Sequence, residues 1–224
     1  MNRKIYFLFI FLFISVRGFS QYQDFQTWWA AGVKGELFDK IDFEVAPEIR
    51  LFDNSSRVRS IHTDFELSYP VTKFFRFGGK YRLQQKNYTN GLSYINHRYG
   101  IYGKLDGKIN RLRFDYRAIY QVEYEGINHR EKGNLPAIEQ RHRIAASYYR
   151  KKWDLRPEVS YELFLLTRQH FFSDEVKSRL TAGVSYKVNK DIDISIDYKL
   201  QHEYLENNPL TAHILAVKFS YELK

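Results

Sequence analysis

The tightest constraint on this chain is the strict two-residue alternation over residues 189–223. Ile192, Ile194, Ile196, Tyr198 and Leu200 interleave with Asp193, Ser195, Asp197, Lys199 and Gln201. After a short polar break, Leu215, Val217, Phe219, Tyr221 and Leu223 interleave with Ala216, Lys218, Ser220 and Glu222. A period of two puts successive side chains on opposite faces of an extended strand, so each strand has an apolar face and a charged one. The runs are longer than the roughly 5–6 residues usual for strands of globular proteins.

The same unit repeats along the chain. Phe25, Thr27, Trp29, Ala31, Val33 and Leu37 share one face, as do Ile41, Phe43, Val45, Ile49 and Leu51 in the next segment. Eleven such segments can be counted. Short connections fall near residues 39, 72, 108, 151 and 190, and longer ones near 55, 89, 131, 171 and 207. Alternating short and long connections are the habit of outer-membrane barrels, with short periplasmic turns and longer external loops. The pattern therefore predicts an all-β fold, a transmembrane antiparallel up-and-down β-barrel of about 10–12 strands. Bacterial barrels usually have even strand numbers, so ten or twelve is the expectation. Residues 21–27 are then expected either to climb through the lumen or to belong to a misread element.

Composition agrees. Aromatic residues make up 17% of the chain, with 18 Tyr and 18 Phe, beside 27% charged residues. A lipid-facing exterior with a charged interior needs both. There is no Cys, which excludes a disulfide framework and thiolate chemistry. Basic and acidic residues mix strand by strand, which argues against a nucleic-acid surface.

The first residues read as an address. Asn2, Arg3 and Lys4 precede an apolar run over residues 5–14, and Gly18, Phe19 and Ser20 form a small-x-small cleavage site. Residues 1–20 are expected to be a cleaved signal peptide and 21–224 the barrel domain. Loss of Arg3, Lys4 and Arg17 takes the net charge from +9 to about +6.

Alternation also predicts register. The hairpin at residue 190 should set Tyr186 opposite Ile194 and Val184 opposite Ile196. The hairpin near 151 should set Tyr148 opposite Trp153 and Ala146 opposite Leu155. Gly35 should face Phe43, and Gly103 should face Phe114, where a ring can cover bare backbone. Pro47 and Pro157 lack a ladder donor and are expected to mark bulges or bends.

Two groups of residues carry the functional expectations. On the inward parity, Arg76, Lys80, Arg82, Arg98, Arg111, Arg113 and Arg117 crowd three consecutive strands and are candidates for lining an anion-leaning pore. Elsewhere the inward charges nearly balance, as expected of an interior filled by ion-pair networks. His97, His142, His202 and His213 fall on the outward parity near loop ends. They suit an amphipathic interface girdle, a lipopolysaccharide contact or a lipid-modifying site. Centring the connection at residues 207–208 sets His202 directly opposite His213, a pair that could also be a metal clasp, although two His alone rarely make a metal site; a lipid-modifying site would take Thr211 or Ser178 as hydroxyl partner. A nucleophile elbow, a phosphate loop and metal-ligand spacing are all missing from the sequence, so no cofactor and no metal is expected. The loop over residues 125–137 is the candidate for a binding or adhesion role.

The segments TWWAAGVKGELFDKIDFEVAPEIRLFDN, DFELSYPVTKFFRFGGKYRLQ, QRHRIAASYYRKKWDLRPEVSYELF and the closing DISIDYKLQHEY…HILAVKFSYEL resemble the domain of unknown function 2490 (DUF2490) family of Bacteroidetes outer-membrane barrels. The resemblance spans nearly all of residues 21–224. It implies a place in the outer membrane of a Gram-negative cell. The expected partners are outer-membrane lipid, lipopolysaccharide and the insertion machinery, with the barrel a monomer and no nucleic acid bound. It lends no activity and no site residues. The functional expectation is a small, anion-leaning channel or a passive structural barrel. The rivals are a lipid A or phospholipid-modifying enzyme using the rim histidines, and a ligand-binding barrel.

Overall fold

The computed structural model describes residues 22–38, 40–88, 91–125, 136–151, 153–167, 175–204 and 209–223. The expected signal peptide and most of the 125–137 loop lie outside these residues. Eleven strands close into one barrel: β1 (Tyr22–Leu37), β2 (Ile41–Phe52), β3 (Arg57–Pro70), β4 (Phe75–Asn87), β5 (Ser93–Ile109), β6 (Leu112–Glu125), β7 (Ala137–Tyr148), β8 (Leu155–Thr167), β9 (Glu175–Lys187), β10 (Ile192–Tyr204) and β11 (Leu210–Glu222). Each strand pairs antiparallel with its sequence neighbour, and β1 pairs parallel with β11.

The parallel seam settles the strand count. Consecutive hairpins reverse direction each time, so an odd number of strands leaves the first and last pointing the same way. The eleven segments counted from alternation are the eleven strands, and the expected even number gives way. Residues 22–27 do not climb through the lumen. They form the start of the wall, with Tyr22 beside Leu210, and the register runs unbroken to Lys34 beside Glu222. The chain thus enters the barrel at the end where the longer loops gather.

The two faces separate as the alternation requires. From Phe25 on β1 to Tyr221 on β11, the outward positions carry no Asp, Glu, Lys or Arg among the described strand residues. Large apolar side chains on this face are open to the surroundings, including Phe77, Ile101, Val159, Ile196 and Phe219, each about half exposed. The described residues contain no helix long and apolar enough to cross a membrane, which says nothing about spanning by strands.

Several register expectations hold and others shift. Tyr186 faces Ile194, Val184 faces Ile196, and Gly35 faces Phe43. In the β7–β8 hairpin, Ala146 faces Val159 rather than Leu155. The turn closes on itself through Trp153 N–H to the Arg150 carbonyl at 3.0 Å, so the ladder begins further out. Trp153 still packs edge-on against Tyr148, at 6.2 Å. β5 continues to Ile109, turning at Asn110 in the left-handed region (φ 54), so Phe114 faces Gly107. Gly103 is covered instead by Phe75, whose ring would lie 3.2 Å from a Cβ there.

Neither proline sits at a bulge. Pro47 keeps its place opposite Thr63, and the register between β1 and β2 passes it unchanged. The irregularity lies nearby, where Arg50 pairs Ser60 and Leu51 pairs Val58, leaving Arg59 as the extra residue. Pro157 faces Val184 just beyond the last β7–β8 rung, where its missing N–H costs no ladder bond.

Candidate functional site

The lumen is where chemistry can be built, because every charged strand position points there. Ion pairs link neighbouring strands at the same height. Arg82 on β4 forks onto Asp64 on β3 with bonds of 2.6 and 2.7 Å. Arg143 on β7 bridges Asp115 on β6, at 3.0 Å, and Glu158 on β8. Lys34 on β1 bridges Asp193 at 3.0 Å and Glu222 at 3.3 Å. At the seam, Lys218 of β11 reaches over β1 to Glu44 of β2. Gly32 lies beneath that pair, and a Cβ there would sit 3.2 Å from the Glu44 carboxylate. A low-dielectric interior makes an unpaired charge costly, so pairing of this density is what keeps the interior ionised.

At mid-height a layer of rings and guanidinium groups crosses the lumen. The Arg50 guanidinium lies 3.8 Å over the Trp28 ring, and Arg179 lies 5.0 Å from it. Arg141 and Arg179 each stand 4.7 Å over Phe164 and both pair with Glu162, at 2.7 and 3.5 Å. Arg50 pairs with Glu48. Trp28 is itself positioned from the rim. Its indole N–H donates to Gln26 at 3.3 Å, and the Gln26 amide donates to Asp24 at 2.9 Å. Asp24 also accepts the Asn54 backbone N–H at 2.9 Å. Asn54 belongs to the β2–β3 connection, where Asp53, Asn54 and Ser55 all have positive φ, which Asp and Asn tolerate better than most residues. Beside Trp28, Ala212 and Ile214 are fully buried and complete a small apolar core inside the wall.

This layer divides the interior. A cavity of about 210 Å³ lies at the loop end, and cavities of about 370 and 530 Å³ lie toward the short turns. Trp28, Arg50, Arg141 and Arg179 line both the 210 and the 370 Å³ spaces, so they form the partition between them.

The seven basic residues grouped from sequence do not form a bare positive strip. Arg76 pairs with Asp42, Lys80 with Glu66 at 3.4 Å, Arg82 with Asp64, Arg98 with Glu123 at 2.8 Å, and Arg113 with Asp106 at 3.0 Å. Arg117 lies 5.9 Å over the Tyr102 ring, with its Nε buried and unbonded. Arg111 belongs to the β5–β6 turn and reaches the Tyr148 hydroxyl at 3.4 Å. The acidic partners come from adjacent strands, which a strand-by-strand sign count cannot see.

The four histidines lie on the outward parity. His97, His142 and His213 each share a hydrogen bond through Nδ1 with a tyrosine diagonal to it on the preceding strand: Tyr81 at 2.8 Å, Tyr116 at 2.8 Å and Tyr198 at 2.6 Å. His202 does not face His213. It faces Thr211 on β11, with Nδ1 to Oγ1 at 2.9 Å, and Ser178 on β9. Ser178 in turn meets the Tyr204 hydroxyl at 3.1 Å. The described residues hold no cluster of three or more potential metal ligands.

Several residues that shape the lumen escaped the sequence grouping, namely Trp28, Arg59, Ser60 and His62. The inward parity of β1 marks Trp28 as a ring on the charged face. Arg59 enters the lumen through the bulge, which alternation does not reveal.

The fold and its lining define a class: a closed, mostly antiparallel barrel, uncharged outside and ion-paired within. The chain belongs to the family described as Protein of unknown function (DUF2490), whose profile matches residues 25–211. None of the curated proteins compared with the chain matches it.

Proposed function

We propose that this protein is a monomeric outer-membrane barrel of a Gram-negative cell, exported by its N-terminal leader and closed at mid-lumen. It serves as a passive structural barrel rather than an open pore. The uncharged outward parity supports the membrane placement, since a lipid-facing charge near the midplane costs roughly 2–4 kcal/mol. The observation that carries the closed lumen is the Trp28–Arg50–Arg141–Arg179 layer between cavities. Its partners are outer-membrane lipid and lipopolysaccharide around the wall and the insertion machinery during assembly. Single-channel recording of the refolded chain in a planar bilayer tests this. Wild-type protein should give a flat baseline, and Trp28→Ala should give discrete steps. Steady wild-type conductance, leaning to anions, would instead return the Arg76, Lys80, Arg82, Arg98, Arg111, Arg113 and Arg117 group to the role of pore lining.

A second reading has one observation in its favour. The 2.9 Å contact between His202 and Thr211 is the pairing of base and hydroxyl that a lipid-modifying enzyme needs at the rim. Phospholipid deacylation by the wild type, abolished in both His202→Ala and Thr211→Val, would establish it.

A further inference from the structure

The loop-end cavity differs from the others in charge. Nine basic side chains line it against three carboxylates, whereas the 530 Å³ cavity at the turn end has five basic and six acidic residues. The carboxylates that pair with Arg50, Arg82 and Arg141 are Glu48, Asp64 and Glu162, and these line other cavities. Those pairs are therefore oriented with their cationic ends toward the loop side. Among the described residues Arg59 has no carboxylate partner, and its guanidinium lies 5.4 Å over the Phe52 ring.

A second, independent feature points into the same space. Ser60 lines the cavity and is 1% exposed, and its hydroxyl has no hydrogen-bond partner among the described residues. One step inward on the same face of β3, the His62 side chain is fully buried, and neither ring nitrogen is hydrogen-bonded. A Glu48 carboxylate oxygen lies 3.6 Å from its Nε2. A buried donor left without a partner is costly, so it marks a place where a ligand or ordered water completes the site. Ser60 stands directly opposite Arg50 across the ladder, and Arg59 adjoins it at the bulge.

We propose that the loop-end cavity is a binding site for a compact oxyanion, phosphate- or carboxylate-bearing, held by Ser60, Arg59 and Arg50. The serine hydroxyl donates one hydrogen bond, and the guanidinium groups donate charge-assisted ones. The bulge at Arg59 brings beside Ser60 a cation that has no carboxylate partner among the described residues. The 210 Å³ volume suits an anion the size of pyrophosphate or a hexuronate and excludes a polymer.

The test is isothermal titration of the refolded full chain with inorganic pyrophosphate and, separately, with glucuronate, at physiological ionic strength. The gel-mobility shift on heating confirms folding of every variant. Saturable one-to-one binding of either anion is expected, and which of the two binds tighter distinguishes phosphate from carboxylate chemistry. Arg59→Gln should weaken it at least tenfold, Arg59→Lys less, and Ser60→Ala several-fold. Lys104→Gln, at the turn end, should leave it unchanged. Absence of saturable binding to both anions overturns the site. So does equal weakening in Lys104→Gln, or no change in Arg59→Gln and Ser60→Ala, since binding would then follow net charge alone. Conductance reports on the mid-lumen layer and titration on the cavity above it, so either proposal can fail without the other.

Discussion

Replacing Ile196 by Arg separates a lipid-facing wall from a water-facing one. Ile196 lies at the middle of β10, flanked across the ladders by Val184 and Val217, and is 49% exposed. If that exposure is to hydrocarbon, an Arg there costs roughly 2–4 kcal/mol, or about 30- to 900-fold in the folding equilibrium. If it is to water, a half-exposed surface substitution should stay within about 0.5 kcal/mol. The neighbouring residue supplies the control. Asp197 points into the lumen and pairs with Lys199 at 2.8 Å, both partly accessible. Asp197→Asn should therefore cost no more than about 1 kcal/mol. The assay is equilibrium urea unfolding in phospholipid vesicles, followed by intrinsic fluorescence. Equal shifts for the two variants would refute the assignment of faces on which the membrane reading depends.

Other expectations follow from individual contacts. Gly78→Ala should cost about 1–3 kcal/mol, because its Cβ would fall 2.4 Å from the buried Tyr102 ring. Gly79→Ala next to it should be nearly silent, since the nearest atom is 4.0 Å away; urea midpoints of the pair check this. The native chain has no Cys, so Thr27→Cys with Leu215→Cys offers a clean test of the seam. The two positions are parallel ladder partners, and oxidation should join them in the folded barrel, read as a gel shift reversed by reductant. Asp24→Ala should cost about 1 kcal/mol or more by freeing the Asn54 N–H and the Gln26 amide, and amide exchange at Asn54 should rise with it.

Much of the architecture is local and so was legible in the residues. Period-two alternation assigned eleven strands and their faces because each side chain's direction follows from its neighbour's. A one-residue slip would have put Asp193 or Asp197 on the apolar side, so the β9–β10 register was readable. Where a turn folds back on itself, as at Arg150 and Trp153, or turns later than expected, as at Asn110, the register moved by an even number of residues. Parity survived such shifts, while the cross-strand partners of Ala146, Gly103 and His202 changed.

What the tertiary structure decided is everything that depends on closure. The parallel β1–β11 seam joins the two ends of the barrel wall; a count of eleven implies that those ends run the same way, but no local pattern encodes the register at which they meet. The neutralisation of Arg76, Lys80, Arg82, Arg98 and Arg113 depends on carboxylates from adjacent strands. The Trp28 layer needs Arg50 from β2 and Arg179 from β9, which only a closed wall brings to the same ring. The unpartnered Ser60 hydroxyl and the inward turn of Arg59 depend on one bulge. Apart from Arg59 at the bulge, alternation determined which residues face the lumen, because that is set by the backbone of each strand alone. Which of them meet across it was decided by the curvature of the whole sheet.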